Sequence, residues 1–390
     1  MQKKYYTGID IGTYSVKVVI ASPAEASDMP MQILGTGSAG SRGMRHGYIV
    51  DVKEATQSIR EALERASSAA HVKVTSARVA LGGVGLDEIR STGDVSLTSA
   101  GGIVTVREME RATKEAEKRA LPKLANRNVL HAIPLEYRID GAKVFGSPEG
   151  LSGAKLAVDT LLITTLSKHY DDLLAAVEAA GVEIEGTMAS PIAASLVTLT
   201  KAQKTAGVVL ANIGAETLSV IVYDNDTPLS IKIFPIGSNV ITESLALTFQ
   251  IPLPEAEQAK RGAVTQSDLS QKKMQTVMQS KMKDMFTLVG THLRSIERDR
   301  LLPAGIVLTG GGSSTPASSD IARTLLKLPA SVSQIGSLPR SASIDATWAV
   351  AFGLCRWGYA EDSAEGDKSI VDVLKGGWHS LKNMARALLP

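Results

Sequence analysis

The sequence contains a single cysteine, Cys355, among its 390 residues. One cysteine excludes a disulfide within the chain, and so sparing a use of this residue fits a reducing compartment. Cys355 stands in the apolar stretch 349–357, where its most common role is that of a small buried side chain. The sequence therefore predicts a fold that forms without a disulfide.

A charge imbalance and a long apolar run are also lacking. The formal net charge is +2, which gives no argument for nucleic acid as a partner. No stretch approaches the ~20 apolar residues that cross a bilayer, and Asp10 and Lys17 interrupt the apolar run near the start, which argues against a signal peptide. We expect a cytoplasmic protein that meets a membrane only at its surface.

Two short segments have the pattern of an apolar strand that ends in a polar residue, a glycine and a tight turn. They are Gly-Ile-Asp-Ile-Gly-Thr at 8–13 and Ala-Asn-Ile-Gly-Ala-Glu-Thr at 211–217. Backbone N–H groups in such a turn point at phosphate oxygens, and glycine lets the phosphate approach. The polar residue before the first turn, Asp10, can hold a metal-bound water. One such hairpin is usually just a turn, but the pair predicts two phosphate loops that face one nucleotide.

A third segment, 305–313, is an apolar strand that runs into Gly310, Gly311 and Gly312. A flexible loop is the simpler interpretation, but the unbroken apolar run before it favours a flat glycine surface on which an adenine lies. The chain order is phosphate loop, phosphate loop, adenosine loop. That order belongs to the bilobed α/β ATPase fold of actin, Hsp70 and the sugar kinases.

The end of the chain predicts an amphipathic helix, 370–390, after a short acidic linker, 361–369. Its apolar residues recur at intervals of three and four, and bases lie on the other side. A C-terminal helix docked on the core is the alternative, but an apolar stripe with a basic rim favours a helix that lies in a membrane interface. The residues expected to contact anionic lipid are Ile370, Leu374, Trp378, Leu381, Lys382, Ala385, Arg386 and Leu388.

These features, together with several longer stretches, resemble the FtsA family of bacterial cell division proteins. The stretches are 41–44 with 47–51, 129–140, 235–237, 256–260 and 304–311. The His-Ile-Pro-Glu-Tyr-Asp pattern within 129–140 is specific to the family, and sugar kinases and Hsp70 lack it. The resemblance covers nearly the whole chain. It implies an actin-like protein that binds ATP and Mg²⁺, polymerises at the inner face of the cytoplasmic membrane at the division site and tethers FtsZ there.

The resemblance also implies a domain organisation, in keeping with a chain too long for one simple core. Subdomain 1A takes 1–85 and 164–195 and is completed by 340–360, subdomain 1C is the insertion 86–163, subdomain 2A takes 196–229 and 301–339, and subdomain 2B takes 230–300. Subdomain 1C would serve polymer contacts and recruit later division proteins. Subdomain 2B would receive the acidic C-terminal peptide of FtsZ on a basic helical surface within 267–298, with Arg294, Arg298 and Arg300 as candidates.

The family's nucleotide site carries over onto this chain in three groups. The first phosphate loop would be made by Asp10, Gly12, Thr13 and Ser15, with Lys17 in place of the lysine that the family has where Ser15 stands. The second would be made by Gly214, Ala215, Glu216 and Thr217, with Gly237 nearby. The adenosine end would be made by Glu257, Lys260, Gly310, Gly311 and Gly312.

The second loop departs from the family, which usually has Asp-Ile-Gly-Gly-Gly-Thr. Asn212 replaces the aspartate and carries no charge to offset Mg²⁺. Glu216 places a carboxylate beside the phosphates unless it is turned outward. We therefore expect nucleotide binding with slow or absent hydrolysis, and Asn212 and Glu216 are the candidate catalytic positions.

Two other interpretations remain at this point. A small-molecule kinase of the same superfamily needs a carboxylate base beside a sugar pocket and has no use for a lipid-binding tail. A PilM-like actin homologue of a pilus system also sits at a membrane, but it would not be expected to carry the 131–137 stretch or the terminal helix. The sequence favours the FtsA-like tether over both.

Overall fold

A computed structural model describes residues 4–24, 31–98, 100–263, 269–335 and 344–363 of the chain. The predicted membrane helix, 370–390, lies outside the described residues, as does most of the linker before it. Within the described ranges, no helix has the length and apolarity that a transmembrane segment requires. The described chain forms two lobes and an insertion.

The first lobe is built on a five-stranded sheet with the strand order β11-β6-β1-β2-β3. Its strands are β1 (Tyr6–Ile11), β2 (Ser15–Pro23), β3 (Met31–Gly40), β6 (Ser76–Leu81) and β11 (Glu183–Ala189). A short hairpin of β4 (Met44–Arg45) and β5 (Tyr48–Ile49) precedes the first helix, and the helices of this lobe are α1 (Val52–Ala70), α3 (Ser167–Ala179), α4 (Ser190–Thr198) and α10 (Ala349–Asp362). Helix α1 begins where the Asp51 carboxylate accepts the Glu54 N–H at 3.0 Å, an N-terminal cap.

The second lobe repeats this plan with the order β14-β13-β12-β15-β16. Its strands are β12 (Val208–Ile213), β13 (Leu218–Asp224), β14 (Thr227–Phe234), β15 (Ile306–Thr309) and β16 (Ala330–Val332), and its helices are α5 (Lys201–Ala206), α6 (Asn239–Phe249), α7 (Leu253–Lys260), α8 (Gln271–Ser295) and α9 (Ser318–Leu326). In both sheets a hairpin pairs antiparallel with a third strand on one side and parallel with a later strand on the other. The duplicated sheet confirms the bilobed α/β fold.

The insertion is a separate four-stranded sheet, β7-β10-β8-β9, with one helix packed on it. Its elements are β7 (Asp87–Ser96), α2 (Val106–Ala120), β8 (Arg127–Ile139), β9 (Ala142–Val144) and β10 (Lys155–Leu166). Within β8, the buried His131 accepts the Ala189 N–H of the first lobe through its Nε2 atom at 3.1 Å. Burial lowers the pKa of His131 to about 4, so the ring stays neutral and keeps this acceptor near neutral pH.

The insertion is also fixed to the second lobe, through Glu88 on β7. Its carboxylate accepts the Ile231 N–H at 2.6 Å and the Ser230 hydroxyl at 2.8 Å, both from strand β14. The Ser230 hydroxyl is in turn 3.0 Å from Nε2 of His292 on helix α8. One buried serine therefore joins the insertion to a strand and a helix of the second lobe.

Helix α10 lies directly against strand β1 and helix α4. A Cβ atom built on Gly8 would be 2.1 Å from the Ala351 carbonyl oxygen, and one built on Gly353 would be 1.9 Å from the Ala193 carbonyl oxygen. Neither distance is tolerated between real atoms, so the absence of side chains lets the three backbones approach. The close contact fixes the start of β1 relative to α10.

Four of the predicted domain boundaries fall inside regular elements. The boundary after residue 163 lies within β10, the one after 195 within α4, the one after 229 within β14 and the one after 360 within α10. Each of these boundaries would interrupt regular backbone hydrogen bonding; β14, for example, pairs with β13 from Thr227 to Phe234. The charged helix predicted for 267–298 is shorter, since α8 begins at Gln271 and ends at Ser295.

We predict that Gly8→Ala lowers the free energy of unfolding, because the added methyl group overlaps the Ala351 carbonyl. Overpacking of this kind typically costs about 1–3 kcal/mol. Gly40→Ala is the matched control: Gly40 ends β3 in the same sheet, and a Cβ there meets nothing within 4 Å. Urea denaturation should give a lower midpoint for Gly8→Ala only; equal midpoints would contradict the close contact.

Candidate functional site

The two predicted phosphate loops are turns of the same construction, one in each lobe. In the first, the Gly12 N–H donates to the Ser15 carbonyl at 3.3 Å; in the second, the Gly214 N–H donates to the Thr217 carbonyl at 2.8 Å. Each turn closes an antiparallel hairpin whose strands are mostly buried. The hairpins therefore hold the two turns as rigid edges of the cleft between the lobes.

Both turns line one cavity of about 1090 Å³, which is large enough for a ligand of nucleotide size. The predicted residues that the structure brings together on its wall are Asp10, Gly12, Thr13, Ser15, Lys17, Asn212, Gly214, Ala215, Thr217, Glu257, Lys260, Gly310, Gly311 and Gly312. Two predicted residues, Glu216 and Gly237, are not on this wall. The three segments singled out from the sequence thus meet at one place.

Asp10 and Lys17 are opposite each other across the first hairpin. Burial raises the pKa of the Asp10 carboxyl to about 6, although the nearby ammonium of Lys17 acts to lower it. Burial also lowers the pKa of Lys17, with the charges of Asp10 and Asp345 acting in the opposite direction. The Lys17 ammonium donates to the Thr347 carbonyl at 2.9 Å, so this lysine joins the first loop to the segment that leads into α10. A cation bound next to the Asp10 carboxyl would stabilise the ionised form of this carboxyl.

Gly237 supports the second loop from behind. A Cβ atom at Gly237 would lie 2.4 Å from the Ala215 carbonyl oxygen, so the chain entering α6 passes directly under the turn. The next two backbone N–H groups donate to the loop: Ser238 to Gly214 and Asn239 to Ala215, each at 2.8 Å. Gly237 therefore shapes the loop and does not face the cavity, which differs from its predicted place among nucleotide contacts.

Glu216 is turned out of the cavity and across the cleft. Its Oε2 atom accepts the backbone N–H of His46, in the first lobe, at 2.6 Å. The side chain thus takes the outward orientation that the sequence left open, and its carboxylate is bound to a backbone N–H of the opposite lobe.

The three consecutive glycines have different reasons to be glycine. Gly310 has a φ of +80°, and a Cβ there would be 2.2 Å from Oδ1 of Asn212; a Cβ on Gly312 would be 2.3 Å from Cγ2 of Ile213. A Cβ on Gly311 would meet only Cγ2 of Thr347, at 3.8 Å. The fold therefore requires glycine at 310 and 312. At 311, on the cavity wall, the fold has room for a side chain.

Glu257 and Lys260 form a hydrogen-bonded group with Thr242. The Lys260 ammonium is 2.6 Å from the Glu257 carboxylate and donates to the Thr242 hydroxyl at 2.8 Å. Burial acts to raise the pKa of Glu257, but the hydrogen bonds from Lys260, Thr242 and Arg261 outweigh it, and the pKa lies below its usual value. A carboxylate that stays ionised is a ready acceptor for a ribose hydroxyl.

The sequence did not point to several residues that cross the cleft. Besides His46, they include Tyr14 and Arg261, whose guanidinium lies 5.1 Å from the Tyr14 ring centre. The stretch 47–51 resembles the FtsA family, but no residue pattern in it indicates a contact with the second loop. Tyr14 stands between two residues assigned to the first loop, which was the one available signal.

The three arginines proposed for peptide binding do not share a helical surface. Arg294 is exposed in the last turn of α8, but Arg298 and Arg300 lie beyond the end of that helix. Arg298 pairs with Asp224 at 3.3 Å, so its charge is partly offset. Arg300 is exposed, with its Nε atom 3.6 Å from the Asp299 carboxylate.

Two family models match the sequence. The model described as "SHS2 domain inserted in FTSA" covers residues 83–164, and the model described as "Cell division protein FtsA" covers residues 209–353. Together they span more than half of the chain. The first match coincides with the inserted sheet, and the second includes the second phosphate loop and the three glycines.

Curated relatives agree with the family models. The chain is 25% identical to cell division protein FtsA of Borreliella burgdorferi, with 96% of each chain covered. It is 27% identical to FtsA of Bacillus subtilis over 83% of this chain and 77% of the relative, and 28% identical to FtsA of Neisseria meningitidis over 84% and 83%.

Solved structures share the fold at lower identity. A chain of the PilM–PilN type IV pilus biogenesis complex superposes with a TM-score of 0.68 at 19% identity, covering 92% of this chain and 99% of that one. MreB5 of Spiroplasma citri bound to ADP superposes with a TM-score of 0.50 at 12% identity, covering 90% and 94%. At these identities the likeness establishes the actin-like fold and nothing more specific.

Proposed function

We propose a function that proceeds from the family: this chain belongs to the FtsA family of cell division proteins, and we infer that it is an ATP-binding, actin-like tether for FtsZ. It would polymerise at the inner face of the cytoplasmic membrane at the division site. The observation that carries the proposal is the meeting of three glycine-containing loops on one cavity in a chain of this family.

The residues on the cavity wall fit ATP with Mg²⁺. The two phosphate turns are glycine-based edges with backbone N–H groups, which suit phosphate oxygens. Asp10 would hold Mg²⁺ through a water, and its raised pKa reflects a buried carboxyl that a cation would stabilise. Glu257 and Lys260 would contact the ribose, and Gly311 would lie under the adenine. MreB5 of the same fold has been solved with ADP.

We expect Gly311→Leu to abolish ATP binding without unfolding the protein. The first side-chain carbon has room in the fold, and the rest of leucine would occupy the surface on which the adenine lies. Isothermal titration calorimetry with Mg-ATP measures the loss, and an unchanged Tm serves as the control for folding. A variant that binds ATP as the parent does would contradict the adenosine assignment.

We propose that hydrolysis is very slow, because Asn212 takes the place of an aspartate on the cavity wall. Asparagine has the same shape but no negative charge, so it polarises an attacking water less. Glu216 does not replace that charge in this structure, since its carboxylate accepts the His46 N–H. Nucleotide would then act mainly as a structural ligand that closes the lobes and favours polymer.

Asn212→Asp should raise ATP turnover by roughly a hundredfold, the scale of a lost electrostatic contact in a transition state. Phosphate release under single-turnover conditions measures it, with Asn212→Ala as the control that removes the side chain without adding charge. A parent protein that hydrolyses several ATP molecules per second would contradict this prediction.

Deletion of residues 368–390, or Trp378→Asp, should abolish binding to anionic liposomes while the rest of the protein keeps its Tm. The reason is the apolar stripe with a basic rim in this segment. High salt should weaken binding only in part, since screening does not affect the apolar face. Co-sedimentation measures binding, and equal pelleting of the truncated chain would eliminate the tether helix.

We propose that the acidic FtsZ tail docks near Arg294, Arg298 and Arg300. Charge reversal at Arg294 and Arg300 should weaken binding of an FtsZ tail peptide at least tenfold, and Arg298 is left intact because its reversal would also disrupt the pair with Asp224. Reversal of two exposed bases of the first lobe, Lys53 and Lys73, is the matched control. A fluorescence titration measures the affinity for the peptide. If the two double variants lose the same affinity, or if neither loses any, the peptide binds elsewhere.

The inserted sheet is the proposed surface for polymer contacts and for later division proteins. It presents exposed apolar side chains, among them Phe145 and Leu121, which are 88% and 61% exposed.

A further inference from the structure

The contact between Glu216 and His46 joins the two lobes at the second phosphate loop. Glu216 Oε2 lies 2.6 Å from the backbone nitrogen of His46, which donates to it, and 3.7 Å from Nδ1 of the same residue. The two residues are 170 positions apart in the chain. The carboxylate therefore recognises a backbone N–H that belongs to the opposite wall of the cleft.

His46 lies in a turn that the first lobe holds firmly. The turn joins β4 and β5, and its two central residues, His46 and Gly47, have φ angles of 48° and 80°. The Gly47 N–H donates to the Thr13 hydroxyl of the first phosphate loop at 3.0 Å, and the Val84 N–H donates to the His46 carbonyl at 3.2 Å. A Cβ on Gly47 would lie 2.3 Å from Cα of Gly83. The turn therefore has no room to shift towards the chain that follows β6.

The second loop is held from behind as well. The backbone N–H groups of Ser238 and Asn239 donate to the carbonyls of Gly214 and Ala215. Glu216 follows directly and reaches forward to His46. The loop is therefore fixed between its own lobe and the first phosphate loop, with the Thr13 hydroxyl and the Glu216 carboxylate bound to adjacent backbone N–H groups of one turn.

A second pair crosses the cleft on the other side of the first loop. The Arg261 guanidinium lies over the exposed Tyr14 ring, and the Arg261 Nε atom donates to the Glu257 carboxylate at 2.8 Å. Tyr14 follows Thr13, whose hydroxyl accepts the Gly47 N–H, so both crossings are tied to the first phosphate loop. Together they connect the first phosphate loop to the second loop and to the ribose end of the cavity.

We propose that Glu216 is a positioning residue: by accepting the His46 N–H it holds the second phosphate loop against the first, so that bound nucleotide leaves only after this contact breaks. The effect on nucleotide release rests on the proposed function, whereas the contact between Glu216 and His46 does not. Its role depends on the hydrogen-bond acceptor and not on the charge. Exchange of nucleotide is therefore slow as long as the contact persists.

The first experiment needs no nucleotide. Hydrogen exchange of the His46 amide, which donates to Glu216, should be faster in Glu216→Ala by roughly tenfold, the scale of one lost hydrogen bond. Glu216→Gln keeps an acceptor oxygen and should retain the parental protection. Glu243→Ala, an exposed glutamate on α6, is the matched control. Equal exchange in the parent and Glu216→Ala would overturn the proposal.

The second experiment measures the dissociation rate of a fluorescent ATP analogue. Glu216→Ala should release the analogue roughly tenfold faster, with Glu216→Gln close to the parent. If Glu216→Gln is as fast as Glu216→Ala, the charge matters and the positioning role is wrong. A parent that does not bind the analogue contradicts the proposed function instead, and the exchange experiment still decides whether Glu216 holds the two loops together.

Discussion

The contact of helix α10 with strand β1 is the constraint on which the cleft depends. Because Gly8 has no side chain, the Ala351 carbonyl lies where a Cβ would be, and the strand and helix cannot separate without opening the core. The same strand carries Asp10 just before its end at Ile11, and the segment before the helix offers the Thr347 carbonyl to Lys17. The acidic and basic groups of the first loop are therefore placed by backbone packing.

Much of the site could be predicted because its parts are local in sequence. Each phosphate turn closes a hairpin of adjacent strands, and Gly310–Gly312 follow one short apolar strand, so a few consecutive residues carry each signal. The contacts of Glu216 with His46 and of Tyr14 with Arg261 could not be predicted, because their partners come from distant segments and the choice depends on how the lobes meet. The sequence could place Gly237 near the second loop. Its position behind the turn depends on the path of the chain into α6, which only the structure shows.

The second loop differs from the usual loop of the FtsA family at Asn212 and Glu216. A carboxylate is missing at the position that faces the cavity, and one is present where it meets the opposite lobe. The loop thus carries an acid that joins the lobes in place of one that would face the cavity. Such an arrangement is coherent for a protein in which closure of the cleft matters more than chemistry within it.

The inserted sheet is held by both lobes. His131 accepts an N–H from the first lobe, and Glu88 accepts two hydrogen bonds from the second. Further contacts join it to the second lobe, such as the hydrogen bond from Arg90 to the Leu229 carbonyl. A rotation of one lobe relative to the other would therefore have to tilt the insertion or break its contacts with one of them.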